Sequence, residues 1–394
     1  MLLRTVRRLC LGNSNFYSGF KRAVSSRCLP AANHRGFRGT LVWGVPISAN
    51  SRCRSATHRV ILTSGIQRRS CDNNKKSSPF MLAAAAAFSL FSKLIDKDDE
   101  GLTESEKNIV YLLKTAKLSI MKGEMEEAED ILHKTLHLAQ ECDSTRAITY
   151  TYDLMANLAF LRGNYESAEK LFKTTMVYML DGGIKQDDNK FIEVSLKLAS
   201  IYAVLNQKDL AVAGFQFCIL SLDEKIEKEK DLPEEVQTAE ERKNTRLLLG
   251  LCLDSYARYL VANKQLVYAQ TMYEKALQIC IEEQGELHPQ TVTLLSDLAS
   301  VMEAQGHYDE AYAFVNQALG LAEKIEHPNH HVILSNLAMI LMHQGSDHLA
   351  DTERIFKQAL AKAEEKKDSE SIQYIKEGLS EVARRQEKNK TQNT

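Results

Sequence analysis

The chain has 394 residues, enough for two or three ordinary domains or one elongated array, and 50 basic against 52 acidic residues leave it near neutral. That balance hides an uneven distribution: residues 1–71 hold 13 Arg and Lys and no Asp or Glu, so the remainder carries 37 basic against 52 acidic, a net −15. A body that acidic repels phosphate backbones, which excludes nucleic acid as a partner and favours a basic or mixed protein surface.

Residues 1–71 are rich in Arg and Ser and free of acids, the signature of a mitochondrial transit peptide that is cleaved and disordered before use. Its opening places Leu2, Leu3, Val6 and Leu9 on one helical face and Arg4, Arg7 and Arg8 elsewhere, as an import helix requires. A basic tail for nucleic acid is the competing reading of the same segment. Cys10, Cys28, Cys53, Cys71 and Trp43 all lie in it. The other cysteines, Cys142, Cys218, Cys252 and Cys280, are unpaired in spacing and read as small core residues rather than a zinc or disulfide framework.

Residues 72–104 form a linker. Within it the apolar run from Phe80 to Phe91, extensible to Ile95 if Lys93 snorkels, reads as a short Ala-rich helix over about 79–95. A bilayer span takes about 17 to 25 residues, so a membrane span and an interfacial helix both remain open. If it spans, Lys75 and Lys76 on one side and the acids from Asp96 to Glu100 on the other put the bulk of the chain in the intermembrane space; the alternative is the matrix.

From 105 to 367 one pattern recurs six times: a small residue, a turn residue seven on, an Ala five later, a large apolar residue four after that, and another small residue. The second copy is Ala156, Gly163, Ala168, Phe172, Thr175, and the fifth is Ala299, Gly306, Ala311, Val315, Ala318. Small residues let paired helices approach, the turn residue takes the left-handed conformation, and the large one fills the gap to the next pair. Turn residues at 123, 163, 206, 264, 306 and 345 give a period near 40, with one long interval that contains an overlong charged helix and a break at Pro233. Residues 368–386, with Ile372, Ile375, Leu379 and Val382 in a stripe, read as a capping helix, and 387–394 as a disordered polar tail.

The segments Leu161 to Phe172 and Ala304 to Ala311 resemble the tetratricopeptide repeat family, and the long period with His288-Pro289 between units resembles the repeats of kinesin light chains. The fold this implies is an all-α solenoid of six helix pairs with a C-terminal capping helix, preceded by the presequence and the short hydrophobic helix. The function it implies is protein binding, not enzymatic catalysis. Mapping the family's inward positions onto this sequence gives Lys117, Asp153, Asn157, Arg258, Ser300, Glu303 and His343 as candidates for a concave binding groove. Asn157 matches a position that often bonds the backbone of a bound peptide. The other repeats carry Lys117, Ser200, Arg258, Ser300 and Met339 there, which argues against a carboxylate clamp.

The whole order of features, an Arg-rich leader, an Ala-rich stretch and then long repeats, resembles a mitochondrial branch of the family. That resemblance implies an inner-membrane adaptor, attached near Phe80 to Phe91, that supports the cytochrome bc1 complex (complex III) around insertion or clearance of its Rieske iron–sulfur subunit. A soluble mitochondrial peptide-binding adaptor in import, trafficking or chaperoning is the alternative. No cofactor, metal or small-molecule substrate is expected. His133 and His137 are four apart but lack the glutamate and third ligand of a zinc site. The cluster His327 to His331 reads as a polar turn set by Pro328, and no phosphate loop, nucleophile elbow or calcium loop occurs.

Overall fold

The computed structural model describes residues 103–230, 232–233, 237–345 and 348–392. The segments expected to be the transit peptide (1–71) and the Ala-rich helix (about 79–95) lie outside them. Among the described residues the chain forms thirteen α-helices and no strand. Six antiparallel pairs follow one another: α1 (Glu104–Lys122) with α2 (Met125–Glu141), α3 (Thr145–Leu161) with α4 (Tyr165–Asp181), and α5 (Asn189–Val204) with α6 (Lys208–Glu229). Then come α7 (Ala239–Ala262) with α8 (Leu266–Gln284), α9 (Pro289–Gln305) with α10 (Tyr308–Lys324), and α11 (His330–Gln344) with α12 (Leu349–Glu365), closed by α13 (Ser369–Gln392).

The repeat pattern is the packing pattern. Ala116, Ala156, Ala199, Ala257, Ala299 and Ala338 in the first helices are each buried, as are Leu132, Phe172, Phe215, Tyr273, Val315 and Phe356 in the second. The pattern's turn residues end the first helices with φ of 84° at Gly123, 75° at Gly163, 58° at Asn206, 61° at Lys264 and 86° at Gly306. Asn206 and Lys264 hold this left-handed conformation with a Cβ, at a steric cost that glycine avoids. A close approach occurs in the third pair, where a Cβ added to Gly214 on α6 would meet the Ala199 Cβ of α5 at 2.6 Å.

Each helix packs on its sequence neighbours, and the first helices of successive pairs also touch: α1 with α3, α5 with α7, α9 with α11. The first helices therefore form the inner side of the curve and the second helices the outer side.

The long interval is absorbed by two long helices, α6 of 22 residues and α7 of 24, with Pro233 between them. A capping box restarts the chain, in which Thr238 Oγ1 accepts from Glu241 N at 3.2 Å and Glu241 accepts from Thr238 N at 3.1 Å. Asn189 ties the extensions to the array: it donates to Thr245 on α7 and accepts from Lys225 on α6, both at 2.9 Å.

At the C-terminal end α13 covers α12 and α11, with Ile375 and Val382 buried, and it runs to Gln392 rather than ending at 386. Arg385 donates to the Met342 carbonyl at 2.7 Å and Gln386 to Glu353 at 2.9 Å, so docking carries the helix past its apolar stripe. One expectation about the core is corrected: Cys218, Cys252 and Cys280 are buried, but Cys142 is exposed, because it lies one residue beyond the last turn of α2 and outside its apolar face.

Candidate protein-binding inner face

The inner face is built from α1, α3, α5, α7, α9 and α11, and its polar side chains are mostly engaged with one another. Asp153 and Asn157 lie one turn apart on α3, and the Asn157 amide donates to the Asp153 carbonyl at 2.7 Å and to its carboxylate at 3.0 Å. From α5, Lys197 approaches Glu193 at 3.0 Å and Asp153 at 3.7 Å while lying over the Phe172 ring at 5.7 Å. Burial pushes the Asp153 and Glu193 carboxyls up, against the pull of Lys197. Burial alone would lower the Lys197 ammonium, yet the two carboxylates hold it above its ordinary value.

A second cluster repeats this arrangement two helices on. Arg258 pairs with Asp254 one turn earlier on α7, and Gln290 of α9 also reaches Asp254, at 3.4 Å. Burial is again the chief influence: it raises Asp254 and pushes the Tyr273 hydroxyl well up, while Asp254, Tyr273 and Asp297 together keep Arg258 above its usual value. Within α9, Ser300 donates to the Ser296 carbonyl at 3.0 Å, and across to α11 Asn336 donates to Ser296 Oγ at 3.0 Å and Glu303 contacts His343.

The seven residues expected to line the groove thus fall into different situations. Asp153 with Asn157, and Glu303 with His343, are brought together; Arg258 and Ser300 sit in neighbouring clusters; Lys117 is half-buried on α1. Asp153, Asn157, Arg258, Ser300 and Glu303 are all buried, each already bonded within the array. Family spacing does not single out Glu193, Lys197, Asp254, Asp297 or Asn336. Their signal in the sequence is charged or amide residues four apart inside otherwise apolar helices: Glu193 with Lys197, and Asp254 with Arg258. Both clusters contain two carboxylates for one cation, so in ionised form each leaves negative charge beneath the inner surface.

The histidine clusters have structural partners. His137 pairs with Glu141 at 3.3 Å on the surface of α2. His327 accepts from Asn329 N at 3.1 Å through Nδ1, so its Nε2 carries the proton and donates to the Pro289 carbonyl at 3.2 Å, pinning the turn before α11 to the start of α9. His331 donates to Asp368 at 3.0 Å, joining α11 to the start of α13. Among the described residues no group of three or more His, Cys, Asp or Glu is placed to hold a metal ion.

The tetratricopeptide repeat family profile matches residues 248–324, the fourth pair's core and the fifth pair. Tetratricopeptide repeat protein 19, mitochondrial, of Rattus norvegicus is 55% identical over 306 residues, covering 77% of this chain and 83% of the relative. The chain belongs to the tetratricopeptide repeat protein 19 family. Its Homo sapiens member is 53% identical over 78% of this chain and 83% of its own length, and a Drosophila melanogaster homologue is 26% identical over 67% and 68%. Among solved structures, the apo form of RapI superposes with a TM-score of 0.53 at 14% identity, covering 77% of this chain and 80% of that one. A STAND protein with a tetratricopeptide repeat sensor from Pyrococcus horikoshii gives 0.53 at 15% identity, over 75% and 44%. These two establish the solenoid fold and nothing finer. No helix among the described residues is long and apolar enough to cross a membrane.

Proposed function

We propose that this chain is a mitochondrial protein-binding adaptor, without enzymatic activity, whose inner face grips an extended segment of a respiratory-complex subunit at the inner membrane. The observation that carries the binding role is the geometry of the array: six helix pairs pack on their sequence neighbours and align their first helices into one continuous inner side that carries buried polar clusters. The acid-rich clusters around Lys197 and Arg258 favour a segment that brings cations or backbone N–H donors. The candidates Lys117, Asp153, Asn157, Arg258, Ser300, Glu303 and His343 then act mainly by fixing the spacing and charge of that face, with Lys117 and His343 half-buried and the other five buried.

The partner in this reading is complex III, through its Rieske subunit or fragments of it, with the repeats in the intermembrane space and attachment through residues near Phe80 to Phe91. Its support is the order of leader, apolar stretch and long repeats, together with relatives named as mitochondrial. The test is a pull-down of the processed protein from mitochondria, with protease protection of a C-terminal tag and quinol–cytochrome c reductase activity in cells lacking the protein. Capture of complex III subunits, a tag shielded by the outer membrane alone, and lowered activity are expected. Normal activity and normal Rieske turnover without the protein would exclude the role, and a carbonate-soluble processed form would favour a soluble peptide-binding adaptor.

A further inference from the structure

The open N-terminal end of the array is unlike the rest of it. In the third, fifth and sixth pairs, the positions five before and two after the pattern's first Ala are buried: Val194 and Ile201, Leu294 and Val301, Ile333 and Ile340, all at most 2% exposed. The same positions of α1 are Tyr111 and Leu118, which are 66% and 50% exposed, and Met121 one turn on is 75% exposed. Among the described residues no helix precedes α1 to cover them.

Three lysines share that side of α1. Lys107, Lys114 and Lys122 fall at helical spacing with Tyr111, Leu118 and Met121, and all three are exposed. An aromatic, a leucine and a methionine framed by lysines, on a chain otherwise net acidic, is the composition of a helix that lies in a membrane interface of negative charge. In sequence, the apolar stretch from Phe80 to Ile95 ends eight positions before the Thr103 cap, which brings α1 near any bilayer that stretch enters.

We infer that the exposed side of α1 docks on an anionic lipid surface, with Tyr111, Leu118 and Met121 in the interface and Lys107, Lys114 and Lys122 over the headgroups. This rests on the membrane attachment proposed above and adds to it an orientation: the array stands with its N-terminal end on the bilayer and its acidic remainder turned away.

The test uses the full chain with Trp43→Phe as background and Leu118→Trp as reporter, mixed with vesicles of phosphatidylcholine alone or with phosphatidylglycerol, some carrying brominated acyl chains. Tyr268→Trp, exposed on α8 in the fourth pair, is the control. The indole at position 118 should shift to the blue and be quenched on anionic vesicles, the control indole should do neither, and circular dichroism should be unchanged. Each lysine near an anionic surface strengthens docking roughly fivefold, so Lys107→Gln, Lys114→Gln and Lys122→Gln together should weaken the docking reported by quenching about a hundredfold. Chains that float with vesicles while the position-118 indole stays unquenched would overturn this inference and leave membrane attachment standing. Chains that do not float at all would remove both. A blue shift that needs no lipid and grows with protein concentration would overturn it in favour of self-association.

Discussion

Gly214→Ala adds one methyl group where two helices of the array approach closely. In an exposed helix this change is stabilising by about 1 kcal/mol, because alanine loses less backbone entropy than glycine. Here the new Cβ meets the Ala199 Cβ at 2.6 Å, a distance that carbon atoms do not tolerate, so α5 and α6 must separate. Overpacking of this kind costs about 1 to 3 kcal/mol. The gap between α5 and α6 is fixed on both sides, since α5 is buried along most of its length and Phe215, next to Gly214, stacks on Tyr256 of α7 at 5.4 Å. A cost toward the upper end is therefore expected, with a net loss of about 1 to 2 kcal/mol after the propensity gain. Urea unfolding followed by circular dichroism measures it, and Ala199→Gly should rescue part of the loss in the double variant, because the methyl it removes is the one struck. A Gly214→Ala variant as stable as the wild type, or a loss unchanged by Ala199→Gly, would refute the close approach as the reason for glycine there.

Lys264→Gly should stabilise the fourth pair by about 1 kcal/mol in thermal melts, since Lys264 holds φ 61° with a Cβ that glycine lacks. Lys197→Met leaves Asp153 and Glu193 buried without their cation and should cost about 3 kcal/mol at neutral pH. Both carboxyls are raised in the folded state, so their protonation favours folding and the benefit is lost as pH rises through their folded-state values; the Lys197→Met deficit, read by urea titration at several pH values, should therefore shrink on acidification. Asp368→Ala removes an oxygen that accepts from Glu370 N and Ser371 N, both at 3.2 Å, and should destabilise α13 by about 1 kcal/mol, seen as faster hydrogen exchange over 369–386. Because His331 and the helix start hold the Asp368 carboxyl far below its ordinary value, the wild-type contribution is present above the unfolded carboxylate range and is lost as pH falls.

How much of the molecule is legible in its sequence follows from which residues are local in their effects. The spacing from small residue to turn to Ala to large apolar residue fixes helix ends and buried faces within one pair, so the repeat pattern alone places Gly163, Ala168 and Phe172 correctly. The end of α13 is not legible, because Arg385 and Gln386 are held by Met342 and Glu353, contacts that sequence separation conceals. The inner face is legible in position and not in state. Family spacing singles out Asp153 and Arg258, but that Lys197 from the next pair reaches Asp153, or that Gln290 reaches Asp254, depends on how closely successive first helices pack. Buried ion pairs need partners, and partners one repeat away leave only the weak trace of charges four apart in apolar helices.

A photo-crosslinking residue at Lys117 on the inner side, compared with one at Gln278 on the outer side of α8, tests the central claim most directly when expressed in intact mitochondria. The inner position should yield crosslinks to one segment of a complex III subunit and the outer position none. Crosslinks from the outer position alone, or to no respiratory subunit from either, would contradict the account.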